Sequence, residues 1–455
     1  MTTAARAVSA DMSDDVRDNV DGYAASLTLE AMRLGVVPDA DIDAYTVGRQ
    51  AEIDDVDADL ERVRQQGGAI RAFLGEYGTG KTHLLELIRE RALSQNFVTA
   101  RVVLDPEETA PSHPKRVYRQ LIRSLEYPDR SVSDNRGLAP LFEQAAEDQE
   151  LLEQFHITES IKAREVLDDG AHLYLTPALR YFRAIGLGED NGRRRAVPEL
   201  SDDERDYGLT LLFNWLEGHP TISNRDIDDI LRKMVGRQGR IFSLMDYRPW
   251  PRIYGYILSG LASMIRQVGY AGLVVLIDEA EFYSLLSAQN REYAEIWFKS
   301  LAWASIGDDE TPVPFSREDL DLGGYGILQD LPPRYGRESG LYTVFAMTPN
   351  TEGKEALQGA VPKEQIAELS RLEMDDYRSL ATEVTSHYRR ARADADINDK
   401  MEGALCKLVS GLLHSGYIEN PRQAMKFVVE FLDLSTFRRD QMPEVIQQLR
   451  QMYGR

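Results

Sequence analysis

One short stretch constrains this chain more than any other. Residues 75–82 read Gly-Glu-Tyr-Gly-Thr-Gly-Lys-Thr, which is a complete GxxxxGK[ST] element. The apolar run 69–74 before it predicts a strand, and the spacing of Leu84, Leu85 and Ile88 after it predicts a helix. Glycines in such a turn let main-chain N–H groups point at a phosphate, and the positive end of the following helix favours negative charge. The sequence therefore predicts a phosphate-binding loop in preference to a plain glycine turn.

This loop predicts the roles of its own residues. Lys81 would reach the β- and γ-phosphates as a point charge, and the Thr82 hydroxyl would hold Mg²⁺. We expect the nucleotide to be ATP, because the sequence shows no Asn-Lys-x-Asp motif in the position that guanine recognition needs. The predicted nucleotide-binding residues here are Gly75, Glu76, Tyr77, Gly78, Thr79, Gly80, Lys81, Thr82 and His83.

Two carboxylates follow a second apolar run. Residues 272–277 are apolar on both faces, as in a central parallel strand, and Asp278 and Glu279 come directly after them. Ligands of open α/β sheets bind at the carboxyl ends of the strands. Asp278 is therefore a candidate Mg²⁺ ligand with Thr82, and Glu279 a candidate general base for the attacking water. The alternative is a solvated acidic strand end without a catalytic role, and Glu281 is assigned no role.

Two further polar positions are candidate sensors of the γ-phosphate. Thr348 and Asn350 end the strand predicted over 341–347, where a polar side chain can hold the attacking water, although a plain turn also favours Pro and Asn. Asn420 and Pro421 predict a helix start that projects Arg422. Arg422 either contacts the γ-phosphate and couples hydrolysis to lid motion or is an ordinary surface arginine.

Composition limits the cellular setting and the partners. The chain has 455 residues, one cysteine and a formal net charge of −22. A single cysteine excludes an intramolecular disulfide, and no apolar run approaches a membrane span of ~18 residues, so we expect a cytoplasmic protein without a membrane partner. An acidic surface repels nucleic acid except where basic residues cluster.

Candidate nucleic-acid contacts are few. Each basic cluster is more typical of a solvated helix face or loop than of a phosphate contact. The aromatic residues could stack on bases, but their pattern favours packing in the core. The basic clusters are Arg193, Arg194 and Arg195; Arg389, Arg390 and Arg392; and Arg438 and Arg439. The aromatic residues are Tyr247, Trp250 and Tyr254.

The pattern along the chain predicts an α/β fold with a parallel, doubly wound sheet. A helix is predicted over about 14–34, a strand over 97–104, a mostly helical region over about 110–240, and only helices after residue 375. We expect an N-terminal helical segment (1–44), an α/β core (45–374) with a helical insertion (about 110–240), and an all-helical C-terminal domain (375–455).

These motifs together resemble an AAA+ ATPase of the origin-recognition and initiator type. In this resemblance, residues 75–82 correspond to Walker A, Asp278 and Glu279 to Walker B, residues 348–350 to sensor 1, and residues 420–422 to the sensor 2 helix of a lid. Gly48 and Arg49 resemble that group's Gly-Arg-Glu segment beside the adenine. The resemblance implies an AAA+ P-loop core with a C-terminal helical lid. The chain departs from the pattern in one respect: many AAA+ rings carry an arginine finger in the segment after sensor 1, and residues 351–365 contain no arginine.

Three segments, residues 29–38, 75–85 and 102–108, resemble the ATP-binding proteins of BREX phage-defence islands. The resemblance is to the BrxD type and to the ATPase part of the BrxC type. This implies a bacterial or archaeal protein that works with other defence proteins against phage. DNA, reached directly or through partners, and a second copy of the chain are further candidate partners.

Two functions follow from these patterns. The first is a Mg²⁺-dependent ATPase that drives a conformational switch or motor in a defence complex. The second is a slow, nucleotide-gated interaction module with little turnover and no direct DNA binding.

Overall fold

The computed structural model describes residues 14–38, 42–129, 136–158, 170–189, 197–220, 224–244, 248, 250–316, 330–392 and 395–453. Its contacts group the chain into two compact units. The first unit comprises Met1–Val56, Leu74–Arg91 and Glu368–Arg455, and the second comprises Asp57–Phe73 and Ala92–Ala367. The phosphate loop therefore groups with the N-terminal and C-terminal helices, whereas Asp278 and Glu279 belong to the second unit.

Helices dominate the described chain. In chain order they are α1 (Asp14–Leu34), α2 (Ile42–Tyr45), α3 (Gln50–Gln66), α4 (Lys81–Ser94), α5 (Pro114–Arg123), α6 (Ala139–Ala145), α7 (Gln149–Gln154), α8 (Leu175–Phe182), α9 (Asp202–Leu216), α10 (Asn224–Val235), α11 (Arg252–Gln267), α12 (Ala288–Ile306), α13 (Thr351–Gln358), α14 (Met374–Ala391), α15 (Asp399–His414), α16 (Pro421–Phe437) and α17 (Met442–Tyr453). A π-helix (Arg183–Leu187) and 3-10 helices (Ala280–Leu285 and Lys363–Gln365) complete the helical structure of the described residues. None of the helices within these ranges is long and apolar enough to cross a membrane.

Five strands form one sheet: β1 (Gly68–Leu74), β2 (Val98–Val103), β3 (Leu273–Asp278), β4 (Leu341–Met347) and β5 (Ile366–Glu368), in the order β2-β3-β4-β1-β5. β3 pairs in parallel with both neighbours, so that Val275 lies opposite Ala100 on β2 and Thr343 on β4. β1, β3 and β4 are buried at every position, which explains why most of their residues are apolar on both faces. The sheet confirms the predicted α/β class. The short strand β5 was not predicted, because three residues show no period.

Helices α11 and α12 cover part of this sheet in the second unit. Gly255 on α11 lies so close to α12 that a Cβ added there would be 2.7 Å from the carbonyl oxygen of Ser300. The Phe298 ring of α12 meets Phe345 of β4 edge to face, with ring centroids 5.4 Å apart. A close helix pair and an aromatic contact thus fix the layer that supports β3 and β4.

The first unit contains a helical bundle in which α1 packs against α14 and α16. Its inner face includes Leu29 and Met32, which are fully or almost fully buried. The Arg33 guanidinium pairs with the Asp433 carboxylate of α16 at 2.6 Å, and Asp433 also accepts a bond from the Tyr388 hydroxyl of α14. The N-terminal helix is therefore built into the same bundle as the C-terminal helices.

Candidate functional site

The phosphate loop connects β1 to α4 by a tight turn. The main-chain N–H and the hydroxyl of Thr79 both donate to the carbonyl oxygen of Glu76, at 3.2 and 2.9 Å. Gly78 and Gly80 have φ angles of +83° and +94°, which L side chains rarely adopt. At Gly75, an added Cβ would lie 2.4 Å from the Thr79 hydroxyl oxygen. The three glycines of the motif are thus required by the loop's geometry.

Lys81 is the first residue of α4, and its side chain returns over the loop. The residue is 8% exposed, and its ammonium donates to the carbonyl oxygen of Gly75 at 2.9 Å. A buried cation at the start of a helix makes this a favourable place for an anion. Thr82 follows and is half-buried, whereas Glu76 and Tyr77 at the tip of the loop are exposed.

The Arg49 side chain stabilises the phosphate loop by hydrogen bonds. Its guanidinium donates to the carbonyl oxygens of Thr79 at 2.7 Å and Ser370 at 2.8 Å, and the residue is 4% exposed. Gly48 before it has a φ of +64°, and an added Cβ would lie 2.6 Å from the carboxyl carbon of Asp376 on α14. The predicted adenine segment is therefore wedged between the phosphate loop and the start of α14.

His83 extends this region. Its Nε2 lies 2.7 Å from the Thr46 hydroxyl, and its ring centroid is 5.5 Å from that of Tyr45. Burial, and then the positive charge of Arg49, lower the pKa of His83 to about 4, so the ring is neutral at physiological pH. Sequence reasoning assigned no role to Tyr45 or Thr46. Their position just before Gly48 was the only available signal.

The tip of the loop lies beside the start of α16. A Cβ added at Gly78 would be 2.8 Å from the Cβ of Asn420. Asn420 caps α16, since its Oδ1 accepts from the main-chain N–H of Gln423 at 3.0 Å, and Pro421 occupies the first turn as predicted. Arg422 is exposed, and its aliphatic stem lies against Gly35, which follows α1. Its sensing role stays a prediction.

Asp278 ends β3 in the second unit and is 2% exposed. Its Oδ2 accepts from the Arg101 guanidinium of β2 at 3.0 Å, and its Oδ1 accepts from the main-chain N–H of Glu279 at 3.0 Å. Arg101 was not singled out from the sequence, because its nearness to Asp278 depends on the pairing of β2 with β3.

Glu279 has an unusual backbone. Its φ and ψ are 58° and 37°, in the left-handed region, and it precedes the 3-10 helix Ala280–Leu285. A left-handed conformation costs a residue with a Cβ about 1–2 kcal/mol, and such strain concentrates at functional sites. This backbone fixes where the carboxylate leaves the end of the strand.

Glu281 connects the ends of β3 and β4. Its carboxylate accepts from the main-chain N–H of Thr348 at 3.0 Å. Asn350 caps α13, because its Oδ1 accepts from the main-chain N–H of Gly353 at 2.7 Å, and its amide donates to the Ser284 hydroxyl at 3.3 Å. Glu281, which sequence reasoning left without a role, thus positions the strand end that carries both candidate sensors.

The candidate nucleic-acid-binding residues differ in burial and in their contacts. Trp250 and Tyr254 are 2% and 0% exposed, which excludes base stacking in this conformation and places them in the core. Arg389 pairs with Glu402 at 2.8 Å, and Arg439 lies 3.4 Å from Asp396. Residues 193–195 and Tyr247 lie outside the described residues.

The buried strand, the glycine turn and the helix that begins at Lys81 are consistent with the fold of a P-loop nucleotide-binding protein. Residues 24–144 match the model of a family described as "BREX system ATP-binding protein BrxC/D". Over this part of the chain, the match confirms the resemblance to BREX ATP-binding proteins. It covers the phosphate loop and Arg49, and ends before the carboxylates of β3. No curated protein and no solved structure matches the chain.

Proposed function

We propose that this protein binds and hydrolyses ATP with Mg²⁺, and that hydrolysis drives a conformational switch or motor in an anti-phage complex of the cytoplasm. The observation that carries the proposal is the phosphate loop: Lys81 is buried at the start of α4, within a segment that matches an ATP-binding family. Other BREX components are the partners, with DNA engaged by the complex.

The first unit supplies nucleotide binding. Main-chain N–H groups of the loop and the Lys81 ammonium bind the β- and γ-phosphates, and Gly48 and Arg49 lie beside the adenine. Because Arg49 donates to the carbonyl oxygen of Thr79, it also keeps the loop in its binding shape. Arg422 contacts the γ-phosphate and transmits its loss to the helices of an AAA+ lid.

Mg²⁺ suits the oxygen donors present. The Thr82 hydroxyl and the Asp278 carboxylate are hard oxygen ligands, which Mg²⁺ prefers. Asp278 is the buried last residue of β3. When bound, the ion neutralises charge on the β- and γ-phosphates. Because Mg²⁺ keeps several waters and takes only one or two carboxylates, these two residues are sufficient from the protein.

Glu279 is the proposed general base. Its left-handed backbone sets the direction of the carboxylate that orients and deprotonates the attacking water. Thr348 and Asn350 monitor the γ-phosphate from the end of β4, which lies between β3 and β1 in the sheet. The bond from Thr348 to Glu281 keeps this strand end in place.

A second function is favoured by the pairing of Asp278 with Arg101. The guanidinium at 3.0 Å competes with Mg²⁺ for the same carboxylate, so turnover would be slow until a partner displaces it. In that case the ATP-bound state mainly determines which surface the protein presents to its partners.

Nucleotide binding and phosphate release by purified variants test the proposal. We expect Lys81→Ala to lose ATP binding, and Glu279→Gln to bind ATP without hydrolysing it. Lys407→Ala and Glu292→Gln, at exposed positions, are the matched controls and should behave as wild type. Equal phosphate release by wild type and Glu279→Gln contradicts the catalytic role. Slow release that BREX partners or DNA do not stimulate favours the second function.

A further inference from the structure

Helix α1 (Asp14–Leu34) has apolar side chains on two opposite faces. Its inner face packs against α14 and α16, and the buried residues there are Ala25, Leu29 and Met32. On the opposite side, Tyr23, Leu27 and Leu34 are 68%, 55% and 71% exposed. An α-helix turns by about 100° per residue, so these three side chains fall within roughly 40° of one another around the axis. We call Tyr23, Leu27 and Leu34 the outer face of α1.

The outer face belongs to the densest group of exposed apolar side chains in the described parts of the chain. Twelve large apolar residues are exposed there, and four of them, the outer face and Val36, lie between residues 23 and 36. Single exposed apolar side chains are ordinary on a protein surface, whereas a contiguous group indicates an interaction site. A helix that is apolar on opposite sides is typical of one packed on both sides, so α1 is suited to a second neighbour opposite its own bundle.

The spacing of the outer face matches the seam of a coiled coil. Its members are four and seven residues apart, and Glu30 occupies the intermediate place. The same alternation of three and four residues continues in the sequence to Val20 and Val16. This repeat is the pattern of helices that pair along their length, so the face fits another helix.

We propose that the outer face of α1 pairs with the outer face of a second copy of this chain, with the two helices antiparallel. Charge favours this direction. Residues 14–21 include four aspartates and one arginine. A parallel copy would place these acidic ends side by side and Glu30 against Glu30 within the seam, and like charges that face each other are unfavourable. An antiparallel copy separates both and also opposes the two helix dipoles.

The other end of α1 carries cations that an antiparallel copy brings to the acidic end. Gly35, which follows the helix, lies so close to Arg422 and Lys426 that an added Cβ would be 3.0 and 3.2 Å from their side-chain carbons. Arg33 is also at this end, where it already pairs with Asp433. The acidic and the cationic ends therefore match when the helix is turned end to end, as a two-fold symmetric contact requires.

The size of the face suits a stable pair. At their exposed fractions, Tyr23, Leu27, Leu34 and Val36 present roughly 450 Å² of surface in each copy. A symmetric contact would bury roughly 900 Å² of mostly apolar area before its polar rim is counted, and a specific interface needs about 1,000 Å² in total. The contact uses no residue of the phosphate loop, so the proposal goes beyond ATP binding and stands independently of it.

The test measures the mass of the full chain in solution without nucleotide, by sedimentation velocity over a concentration series. We expect an equilibrium between single chains and dimers. The double variant Leu27→Gln, Leu34→Gln should raise the dissociation constant of the dimer by at least about 100-fold, because each dimer loses four leucine contacts. Glutamine is a good helix former and both positions are exposed in a single copy, so the variant should fold with the urea midpoint of monomeric wild type.

The matched control replaces two exposed leucines elsewhere, Leu187→Gln and Leu285→Gln, and should dimerise as wild type does. The proposal is overturned if wild type stays a single chain throughout the series, if the α1 variant dimerises as wild type does, or if the control loses as much. A monomeric wild type that binds another BREX protein through Leu27 and Leu34 would show that the occupant is a different protein.

A disulfide tests the direction of pairing. In a Cys406→Ser chain, the thiols of Leu34→Cys lie at the same level in both copies only if the helices are parallel, and a disulfide needs Cα atoms within ~7 Å. We expect no disulfide between copies under oxidising conditions, with dimer formation confirmed by sedimentation. Efficient formation would contradict antiparallel pairing. ATP binding by all of these variants should be unchanged, and its failure in wild type would count against the proposed function alone.

Discussion

The Arg49 guanidinium donates to the carbonyl oxygen of Thr79 at 2.7 Å, so a residue outside the glycine-rich motif determines the position of the phosphate loop. A second bond from the same group reaches Ser370 at 2.8 Å. One buried cation therefore joins the loop to the segment that leads into α14. Nucleotide affinity should depend on this residue even if it never contacts the nucleotide.

Arg49→Lys should destabilise the first unit and weaken ATP binding. In the wild type, Nη2 of Arg49 donates to both carbonyl oxygens and Nη1 lies 3.4 Å from the Glu52 carboxylate. A lysine has one nitrogen and cannot replace both, and buried hydrogen bonds to a charged group contribute about 1.5–3 kcal/mol each. We expect a loss of about 2 kcal/mol in the free energy of unfolding, measured by urea denaturation, with a higher Kd for ATP. Arg378→Lys, at an exposed position of α14, is the control. An unchanged Kd would show that Arg49 does not shape the loop.

Two substitutions of Glu279 separate the effect of its backbone strain on stability from the effect of its carboxylate on hydrolysis. Because its φ is +58°, Glu279→Gly should stabilise the second unit relative to Glu279→Ala by about 1 kcal/mol, since glycine adopts this conformation without a Cβ penalty. Both variants should lose hydrolysis, because both lack the carboxylate. Urea denaturation and phosphate release provide the two measurements. Equal stabilities of the glycine and alanine variants would contradict the left-handed backbone.

Folding stability should depend on pH through His83. Its pKa is lowered to about 4 in the folded protein from 6.5, so the unfolded chain binds a proton more readily. The stabilisation is fully present above the unfolded pKa and is lost as pH falls from about 6.5 towards 4. Between pH 7 and pH 5, wild type should lose about 2 kcal/mol more than His83→Asn.

The measurement is the free energy of unfolding of both proteins at pH 5, 6 and 7. His172 is also buried, and its pKa is lowered to about 3, but it is present in both proteins and cancels from the difference. Parallel pH profiles for wild type and His83→Asn would mean that His83 is solvated rather than enclosed by Thr46 and Tyr45.

Strands and turns that depend on the local sequence pattern could be predicted. Contacts that depend on which strands lie side by side in the sheet could not. Apolar runs gave β1 to β4 within a residue or two, and the glycines of residues 75–80 gave the loop. Arg101 could not be predicted as the partner of Asp278, because the contact depends on which strand lies beside β3. Glu281 was missed for a similar reason, since its bond to Thr348 joins residues 67 positions apart.

The contact between Gly78 and Asn420 should couple the loop to α16. Gly78→Ala introduces a Cβ 2.8 Å from that of Asn420 and also strains a residue at φ +83°, so ATP binding should weaken strongly. Asn420→Gly removes the side chain that the new methyl group meets, and glycine still serves as a helix cap at a cost of a few tenths of a kcal/mol. The double variant should therefore recover part of the lost affinity, and the unrecovered part measures backbone strain alone.

Neighbouring residues typically couple by about 0.5–3 kcal/mol in such a double-mutant cycle. Strict additivity of the two substitutions in ATP affinity would show that the loop and the start of α16 act independently.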